Sequence, residues 1–434
     1  MSLADNSPVG DSHSVGLFDA ITNGEPVGNI KNIIESGEDV NTVAKSGQTP
    51  TLDHAGRFNG VLGLRRLFVE SGLIIDVRVR CGVTPLMYAA AISRDPELLK
   101  LLTDSGAKIN ARNLDGATPI MFAAQFNSDP EVLRALINSG ADINAMYLNG
   151  SNPIMLAARN NCEPEVVRLL IGSGALINGR DFESKTPLMY AAEGNSNPDM
   201  LRLLIGSGAE INAKTRRTIH VRRYSRAGLG RTPLMFAAQS NRNPDILRLL
   251  IDSGAEVNAR NELRETPLMF AAHTNNPDVL QLLIEFDAEV DARNEWCENA
   301  LMIAAHYNCC SKVIRVLVES GADVNAIRRD GKTPLMFAIK QNCVLDIVHL
   351  LIEAGAKINA RDKTGRSPLM YAAQKCSEPK ALQMILDSGA EIDARDIEGK
   401  TPFIHASIAN SNQDILRWFI ENGASLNARD LSGQ

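Results

Sequence analysis

A seven-residue block of the form Thr-Pro-Leu-Met-aromatic-Ala-Ala recurs along the chain. It is clearest at residues 84–90, 186–192, 232–238, 266–272 and 367–373, and looser copies begin at Thr49, Thr118, Asn152, Asn299, Thr333 and Thr401. Successive blocks begin 35, 34, 34, 34, 46, 34, 33, 34, 34 and 34 residues apart. A fixed period of this length is typical of arrays of small units, each of which buries its apolar face only against its neighbours. The period therefore excludes most enzyme architectures and favours a binding scaffold.

The composition restricts the partners and the compartment. The 434-residue chain carries a net charge of −6, which disfavours nonspecific binding to nucleic acid. No apolar run approaches the roughly 18 residues that a membrane span requires. The N-terminus lacks the basic and then apolar pattern of a secretion signal. We therefore expect a cytoplasmic protein.

The seven cysteines are odd in number and irregularly placed, which argues against a disulfide framework. Cys309, Cys343 and Cys376 fall in matching loops of three successive units. Neighbouring helices in stacked units lie about 8–10 Å apart. Disulfide Cα atoms must approach within about 7 Å, and zinc lies about 2.3 Å from its sulfur ligands. We therefore expect neither a disulfide nor a metal site in this column and interpret the cysteines as small apolar filler.

The unit that begins at Thr232 illustrates the local pattern. Thr232 suits a helix N-cap, the following proline suits the first helical position, and Asn241 is expected to end the helix in a left-handed conformation. A second helix begins at Asn243 and ends at Gly254. Its expected apolar face comprises Ile246, Leu247, Leu249, Leu250 and Ile251. An extended turn, residues 255–260, then leads to the next unit.

This pattern resembles the ankyrin repeat. The resemblance rests on the Thr-Pro-Leu-x-x-Ala-Ala blocks and on endings such as Gly-Ala-Asp-Val-Asn-Ala at 321–326, and it covers roughly residues 14–434. The family's usual His after Thr-Pro-Leu is Met in nine units, and its Gly-His between the helices becomes Asn-x-Asn-Pro. We interpret the Met column as polarizable core filler. The resemblance implies an all-α, ankyrin-type solenoid of stacked helix-loop-helix repeats with projecting β-turn fingers.

We predict twelve units in one continuous array. Residues 1–13 are expected to form a flexible tail and residues 14–44 an N-terminal capping repeat. Residues 45–434 supply eleven further repeats, with a basic insertion at 214–231. The unit at 49–83 departs most from the block, and Gly56, Gly60 and Gly63 weaken any helix there, so we expect it to be the least stable. The chain ends where another Thr-Pro would begin, so either the array has no dedicated cap or the chain is a fragment.

No motif for catalysis is present. The sequence has no glycine-rich phosphate loop, no His/Cys cluster at ligand spacing and no nucleophile elbow. His273 and His306 occupy equivalent positions in adjacent units, and Tyr307 follows. We interpret them as surface contact residues rather than as a catalytic pair. We therefore predict that the protein is not an enzyme and binds no cofactor and no metal.

The resemblance implies that partners dock on the concave side, which the projecting turns and the first helices of an ankyrin array form. Exposed aromatic residues favour protein interfaces. The candidate contact residues of this kind, after Ala-Ala or in the turns, are Phe126, Tyr147, Phe182, His273, Trp296, His306 and Tyr307. Local packing of the turn is the alternative for each. The aromatic column inside the block is instead expected to be core, and it comprises Tyr88, Phe122, Tyr190, Phe236, Phe270, Phe337 and Tyr371.

A column of basic residues also follows the turns. Its members are Arg112, Arg180, Lys214, Arg260, Arg293, Arg361, Arg395 and Arg429. Such a column would suit a phosphate backbone, but the chain is acidic and an Asp directly follows four members, at Asp181, Asp362, Asp396 and Asp430. We therefore expect a solvated row of paired charges.

The 46-residue spacing places 12 extra residues in the turn 214–231, which contains seven Lys or Arg and no Asp or Glu. Insertions in repeat arrays map to loops on one face, which is often the binding face. The candidate contact residues here are Arg216, Arg217, Arg222, Arg223, Tyr224 and Arg226. An acidic partner surface would suit them, and a mobile loop without function is the alternative.

We predict a monomeric, non-catalytic scaffold that binds a partner protein on its concave face. One alternative is a targeting or regulatory ankyrin module cut from a longer enzyme, channel or secreted effector, which a parent gene continuing past Gln434 would favour. A second alternative is a polyanion binder that uses the basic insertion, which a steep salt dependence of binding would favour.

Overall fold

The described residues form short α-helices in pairs, joined by turns, and no β-strand occurs among them. The computed structural model describes residues 16–22, 25–38, 76, 78, 80–160, 163–216, 230–274, 276–307, 310–341, 344–410 and 412–433. The predicted tail and most of the weak unit at 49–83 lie outside these residues. The Cα packing divides the chain into two units, Met1–Phe182 and Glu183–Gln434. The all-α class with repeating helix pairs is confirmed.

The first unit contains four described helix pairs. They are α1 (Leu17–Thr22) and α2 (Val27–Glu35), α3 (Pro85–Ile92) and α4 (Pro96–Asp104), α5 (Pro119–Phe126) and α6 (Pro130–Asn138), and α7 (Pro153–Asn160) and α8 (Pro164–Gly172). From α3 onward each first helix of a pair packs on the next first helix, and each second helix packs on the next second helix. A repeat therefore buries its apolar residues against its neighbours, as the period predicts.

The second unit repeats this arrangement seven times within the described residues. Its helices are α9 (Pro187–Gly194), α10 (Pro198–Gly206), α11 (Pro233–Ser240), α12 (Pro244–Asp252), α13 (Pro267–Ala272), α14 (Pro277–Glu285), α15 (Ala300–Tyr307), α16 (Ser311–Glu319), α17 (Pro334–Gln341), α18 (Leu345–Glu353), α19 (Pro368–Lys375), α20 (Pro379–Asp387), α21 (Pro402–Ala409) and α22 (Gln413–Glu421). The odd-numbered helices stack on one another, and so do the even-numbered ones.

The Thr-Pro pair starts the first helices, and the methionine two residues after the proline completes the N-terminal cap. Thr84 Oγ1 accepts a 3.3 Å hydrogen bond from the Met87 amide, and the Met87 sulfur accepts a 3.4 Å bond from the Thr84 amide. The same reciprocal pair occurs at Thr186 and Met189. Both methionines are fully buried. The Met column therefore fills the core as expected, and its thioethers also satisfy a backbone N–H that a Glu or Gln satisfies in an ordinary capping box.

Asn241 connects two repeats. Its backbone is extended (φ −85°, ψ 129°), so the prediction of a left-handed helix end is wrong. Its amide nitrogen donates to the carbonyls of Ala192 at 3.0 Å and Asn195 at 2.8 Å, and its oxygen accepts from the Asn243 amide at 3.0 Å. Asn127 makes the equivalent bonds in the first unit. This asparagine thus satisfies carbonyls left without a helical partner at the end of the first helix of the preceding repeat.

The second helix of the same repeat shows which apolar residues face the core. Ile246, Leu247 and Leu250 are fully buried, whereas Leu249 and Ile251 are only partly buried. The predicted apolar face was therefore too wide by two residues. Gly254 ends the helix at φ 96°, the left-handed conformation that the sequence predicts.

An extended turn, here called a finger, precedes each first helix. In the finger 260–265 the Asn261 amide donates to the Glu265 carbonyl at 3.1 Å and closes the turn. The next finger, 293–298, joins it through the Glu295 amide, which donates to the Leu263 carbonyl at 2.9 Å. Successive fingers are therefore hydrogen-bonded through their backbones.

Candidate functional site

Within each unit the fingers and the first helices lie together. In the finger 361–366 the Asp362 carboxylate accepts a 2.6 Å hydrogen bond from the Tyr371 hydroxyl on α19. In the next repeat Asp396 lies 2.8 Å from Nε2 of His405 on α21, and the Gln374 amide lies 2.8 Å from His405 Nδ1. Because a finger contacts its own first helix and that helix contacts the preceding one, we call the combined surface the finger face.

These buried polar groups satisfy one another. Burial opposes the charged form of Asp362, but hydrogen bonds from Tyr371 and from residues of its own finger outweigh burial and lower the pKa of Asp362. Burial and the bond to Asp362 raise the pKa of Tyr371. Burial also lowers the pKa of His405, against the opposing effect of Asp396. The neutral ring therefore accepts from Gln374 and donates to Asp396, and the network holds finger to helix.

Two predicted contact residues of the first unit are well exposed. Phe126 is 60% exposed at the end of α5, and its ring centroid lies 6.2 Å from that of Phe122. Phe182 is 52% exposed in its finger. Its ring also covers Gly150, where a Cβ would lie 2.6 Å from Phe182 Cδ1. Phe182 thus combines local packing of the turn with a large exposed surface.

Two other predicted aromatics are partly buried. Tyr147 packs against a cluster that contains Ala117 and Met121. Burial, and then the nearby Asp115, raise the pKa of Tyr147. Trp296 is partly buried in the finger 293–298. Local packing of the turn was the alternative to a contact role for Tyr147. The partial burial of its side chain supports that alternative.

The two predicted histidines and Tyr307 come together in the second unit. The Tyr307 ring centroid lies 4.6 Å from that of His273 and 4.2 Å from that of His306, and His306 lies 5.0 Å from Phe337. Tyr307 is 51% exposed, and both histidines are partly buried. Burial lowers the pKa of His306, although Glu298 opposes the shift. The lowered pKa keeps the His306 ring neutral at pH 7, where it stacks against the exposed Tyr307 ring.

The basic insertion leaves the array at a closed finger. The Thr215 amide donates to the Arg231 carbonyl at 3.0 Å, and the Arg231 amide donates to Thr215 Oγ1 at 2.8 Å. This is the closing bond of an ordinary finger, with fifteen residues between its partners instead of three. The insertion is therefore a lengthened fingertip. Arg216 is exposed, whereas Arg217, Arg222, Arg223, Tyr224 and Arg226 lie outside the described residues.

Arg231 is a buried residue of the finger face that sequence reasoning assigned to the exposed insertion. Its guanidinium carbon lies 4.0 Å from the ring centroid of Phe236 and 4.4 Å from that of Phe270, and the residue is only 9% exposed. Lys185 Nζ also contacts the Phe236 ring, at 4.7 Å from its centroid. Burial lowers the pKa of Arg231 to about 10, with Glu193 opposing the shift, so the side chain is charged at neutral pH. Its position directly before Thr-Pro, which Lys185 shares, was the available sequence clue.

Family models described as ankyrin repeats match most of the chain. The model of ankyrin repeats (3 copies) matches residues 120–215, 220–294, 268–362, 301–396 and 359–430. The model of ankyrin repeats (many copies) matches residues 87–137 and 188–251. The chain belongs to the ankyrin-repeat family. Ankyrin repeats are generally protein–protein interaction modules and are typically non-catalytic. A search of curated proteins gives no significant match.

The basic column of this ankyrin array is part of the finger scaffold. Arg112 donates to the Met146 carbonyl of the next finger at 2.6 Å, and Arg395 donates to the Arg429 carbonyl at 2.8 Å. Arg260 also pairs with Glu289 in the next repeat at 2.9 Å. Arg293 and Arg361 likewise pair with Asp323 and Glu391 of the next repeat, so the expected row of paired charges is present at these positions. The partners are not the Asp residues that follow in sequence, because Asp362 and Asp396 turn inward to Tyr371 and His405.

The cysteine column also departs from expectation. Cys376 is 1% exposed and disulfide-bonded, and its partner is not among the described residues. The prediction of no disulfide in this column was wrong because helix spacing does not describe the loops. The Asn412 amide donates to the Ser377 carbonyl at 2.7 Å, so loops of successive ankyrin repeats touch directly.

Among the described residues, no three His, Cys, Asp or Glu side chains are grouped so that they could hold a metal ion. None of the described helices has the length and apolar character needed to span a membrane.

Proposed function

We propose that this ankyrin array is a non-catalytic scaffold that binds a partner protein on its finger face. The main support is the contrast between buried and exposed positions of the repeat. The buried Met column hardly varies and is at most 1% exposed, from Met87 to Met370. The exposed fingertips differ from repeat to repeat and include Leu114, Leu148, Phe182, Lys363 and Ile397. A rigid scaffold that carries variable loops is the usual architecture of a recognition protein.

Three successive fingertips of the first unit carry a large apolar side chain. Leu114, Leu148 and Phe182 are 73%, 65% and 52% exposed in three successive fingers. Each leans on the glycine of the preceding finger; a Cβ on Gly116, for example, would lie 3.5 Å from Leu148 Cγ. Contiguous apolar groups on a surface mark interaction sites, and the cores of protein interfaces are enriched in aromatic residues.

The titratable groups of the finger face support a binding role over a catalytic one. The Tyr371 hydroxyl is bonded to Asp362, and the His405 ring is bonded to Asp396 and Gln374. Their shifted pKa values follow from burial and from these internal bonds. A general acid or base must instead reach a substrate proton.

Affinity capture from the source organism followed by mass spectrometry tests the proposal. The bait is the full chain, compared with a variant that carries Phe126→Asn, Phe182→Asn and Tyr307→Asn. The control carries Leu176→Asn, Ile420→Asn and Leu426→Asn, which are equally exposed aliphatic positions outside the finger face. Loss of an interface hot spot costs about 2 kcal/mol or more, roughly a thirtyfold loss of affinity.

We expect the control to retain the captured partner and the finger-face variant to lose it. Circular dichroism should show the same helix content for all three proteins. A partner that binds all three equally, or that is lost only from the control, would show that the finger face is not the binding surface.

A further inference from the structure

The last four fingers carry a charge opposite to that of the chain. We define the basic face as fingers 327–332, 361–366, 395–400 and 429–433 with the ends of the first helices between them, at 340–341, 374–375 and 407–408. These segments contain eleven Lys or Arg and five Asp or Glu, a net charge of +6 in a chain of −6.

Within the last four repeats the positive charge is concentrated on this surface. The second helices of the same repeats, α18, α20 and α22, contain two Lys or Arg and five Asp or Glu, a net charge of −3. The two preceding fingers, 260–265 and 293–298, contain three basic and four acidic residues, a net charge of −1. The basic face is therefore a local feature and does not follow from the repeat pattern.

Four cations of the basic face are available to a partner. Arg329, Lys340, Lys363 and Lys375 are exposed, and within the described residues no carboxylate lies within 4.0 Å of their charged groups. Other basic groups of this face are engaged, as in the pair of Arg361 with Glu391 at 3.2 Å and the bond from Arg395 to the Arg429 carbonyl at 2.8 Å.

The acidic groups of the basic face offset these four cations only in part. Asp362 and Asp396 are buried and bonded to Tyr371 and His405. Asp330 is held by Lys332, and Glu398 pairs with Lys400 at 2.6 Å. The exposed, unpaired charge of the surface is therefore positive.

Aliphatic side chains lie between these cations. Ile327, Ile397, Ile408 and Leu431 are 60%, 63%, 66% and 82% exposed. Among the described residues of 327–433 no large aromatic side chain is exposed. Proteins that bind single-stranded nucleic acid stack its bases on aromatic side chains, and the acidic chain as a whole disfavours a polyanionic nucleic acid. A surface on which cations alternate with aliphatic groups is more complementary to an acidic protein segment than to a nucleic acid.

We propose that the basic face binds an extended acidic segment of a partner protein in which carboxylates alternate with aliphatic side chains. The inference rests on the proposed function and specifies the chemistry of the partner. Four stacked fingers at about 10 Å per repeat extend over about 30 Å. An extended chain covers that length with about nine residues. Its carboxylates pair with Arg329, Lys340, Lys363 and Lys375, and its apolar side chains cover Ile397 and Ile408.

Fluorescence anisotropy with a labelled synthetic peptide of alternating Glu and Leu, about ten residues long, tests this inference on the full chain. The variant carries Arg329→Gln, Lys340→Gln, Lys363→Gln and Lys375→Gln. The matched control carries Lys312→Gln, Arg315→Gln, Lys380→Gln and Arg417→Gln, exposed positions on second helices that change the net charge equally. A single-stranded RNA and a peptide of alternating Lys and Leu serve as competing probes.

We expect the acidic peptide to bind the unmodified chain and the control alike. Loss of four exposed charge pairs should weaken its binding to the variant roughly tenfold or more. Added salt should weaken binding to the unmodified chain.

Absent peptide binding, equal binding to variant and control, or tighter binding of the RNA or the basic peptide would overturn the inference. None of these outcomes would remove a partner captured through Phe126, Phe182 and Tyr307. Failure of this inference is therefore distinguishable from failure of the proposed function.

Discussion

Replacement of Asn241 by Ala tests whether the inter-repeat hydrogen bonds hold the array together. Asn241 is 8% exposed and takes part in three bonds, two to the carbonyls of Ala192 and Asn195 and one from the Asn243 amide. Each intramolecular hydrogen bond contributes about 0.5–1.5 kcal/mol, and a buried group left without a partner costs about 1–3 kcal/mol. We therefore expect Asn241→Ala to lower the free energy of unfolding by about 2–4 kcal/mol.

Asn243→Ala is the matched control, because Asn243 lies two residues away, is only partly buried and makes one inter-repeat bond where Asn241 makes two. Asn243 accepts from the Asp245 amide at 3.0 Å and donates to the Ser196 carbonyl at 2.9 Å. Loss of such a cap costs about 0.5–2 kcal/mol. Urea unfolding followed by far-UV circular dichroism gives both values. A loss for Asn241→Ala that is equal to or smaller than the loss for Asn243→Ala would refute the inter-repeat role.

Three further predictions follow from the fingers and the buried histidine. Gly331→Ala should destabilise the protein more than Gly355→Ala in the same urea assay: the two share a left-handed φ of 86° and 88°, but only at Gly331 would a Cβ lie 2.6 Å from the backbone of the next finger. Equal losses would show that backbone strain alone matters. Burial lowers the pKa of His405, so the unfolded chain takes up a proton first and stability should fall as the pH drops below the ordinary His value of about 6.5. His405→Phe should reduce the loss of melting temperature between neutral pH and about pH 5, and an unchanged loss would exclude His405 as its source. Deletion of residues 217–228 leaves three residues between the closing partners of the lengthened finger, so the melting temperature should change little, whereas binding of a captured acidic partner should slow and depend less on salt. A fall of many degrees would show that the insertion is packed structure.

The fold could be predicted because its determinants are local. Among the described residues each Thr-Pro starts a helix, and a glycine follows every second helix except α14, where Asp287 adopts the left-handed conformation. Neither signal depends on distant residues. Asn241 was misinterpreted because its partners lie 46 and 49 residues away, and a local window reveals only its turn preference. Arg231 was missed for a related reason, since its burial depends on Phe270 of the next repeat.

The finger face was less predictable than the fold. Phe126, Phe182 and Tyr307 are exposed, as expected for contact residues, but Tyr147 and Trp296 are partly buried. Side chains in a finger pack against the preceding finger, as Phe182 does against Gly150. Their exposure therefore depends on the residues of that preceding finger. The net charge of the basic face was not predicted from the sequence, because no single finger carries more than +2 and the charge is large only when four fingers and the neighbouring helix ends are summed.

Because a backbone hydrogen bond closes the base of each finger, the length of the fingertip does not affect how the helices on either side pack. Thr215 and Arg231 close around fifteen residues as Asn261 and Glu265 close around three, and the helices on either side keep the same pairing. A genetic insertion at a fingertip therefore leaves the phase of the following repeats unchanged. New binding specificities can be acquired one fingertip at a time, by evolution or by grafting of a foreign peptide, without redesign of the core.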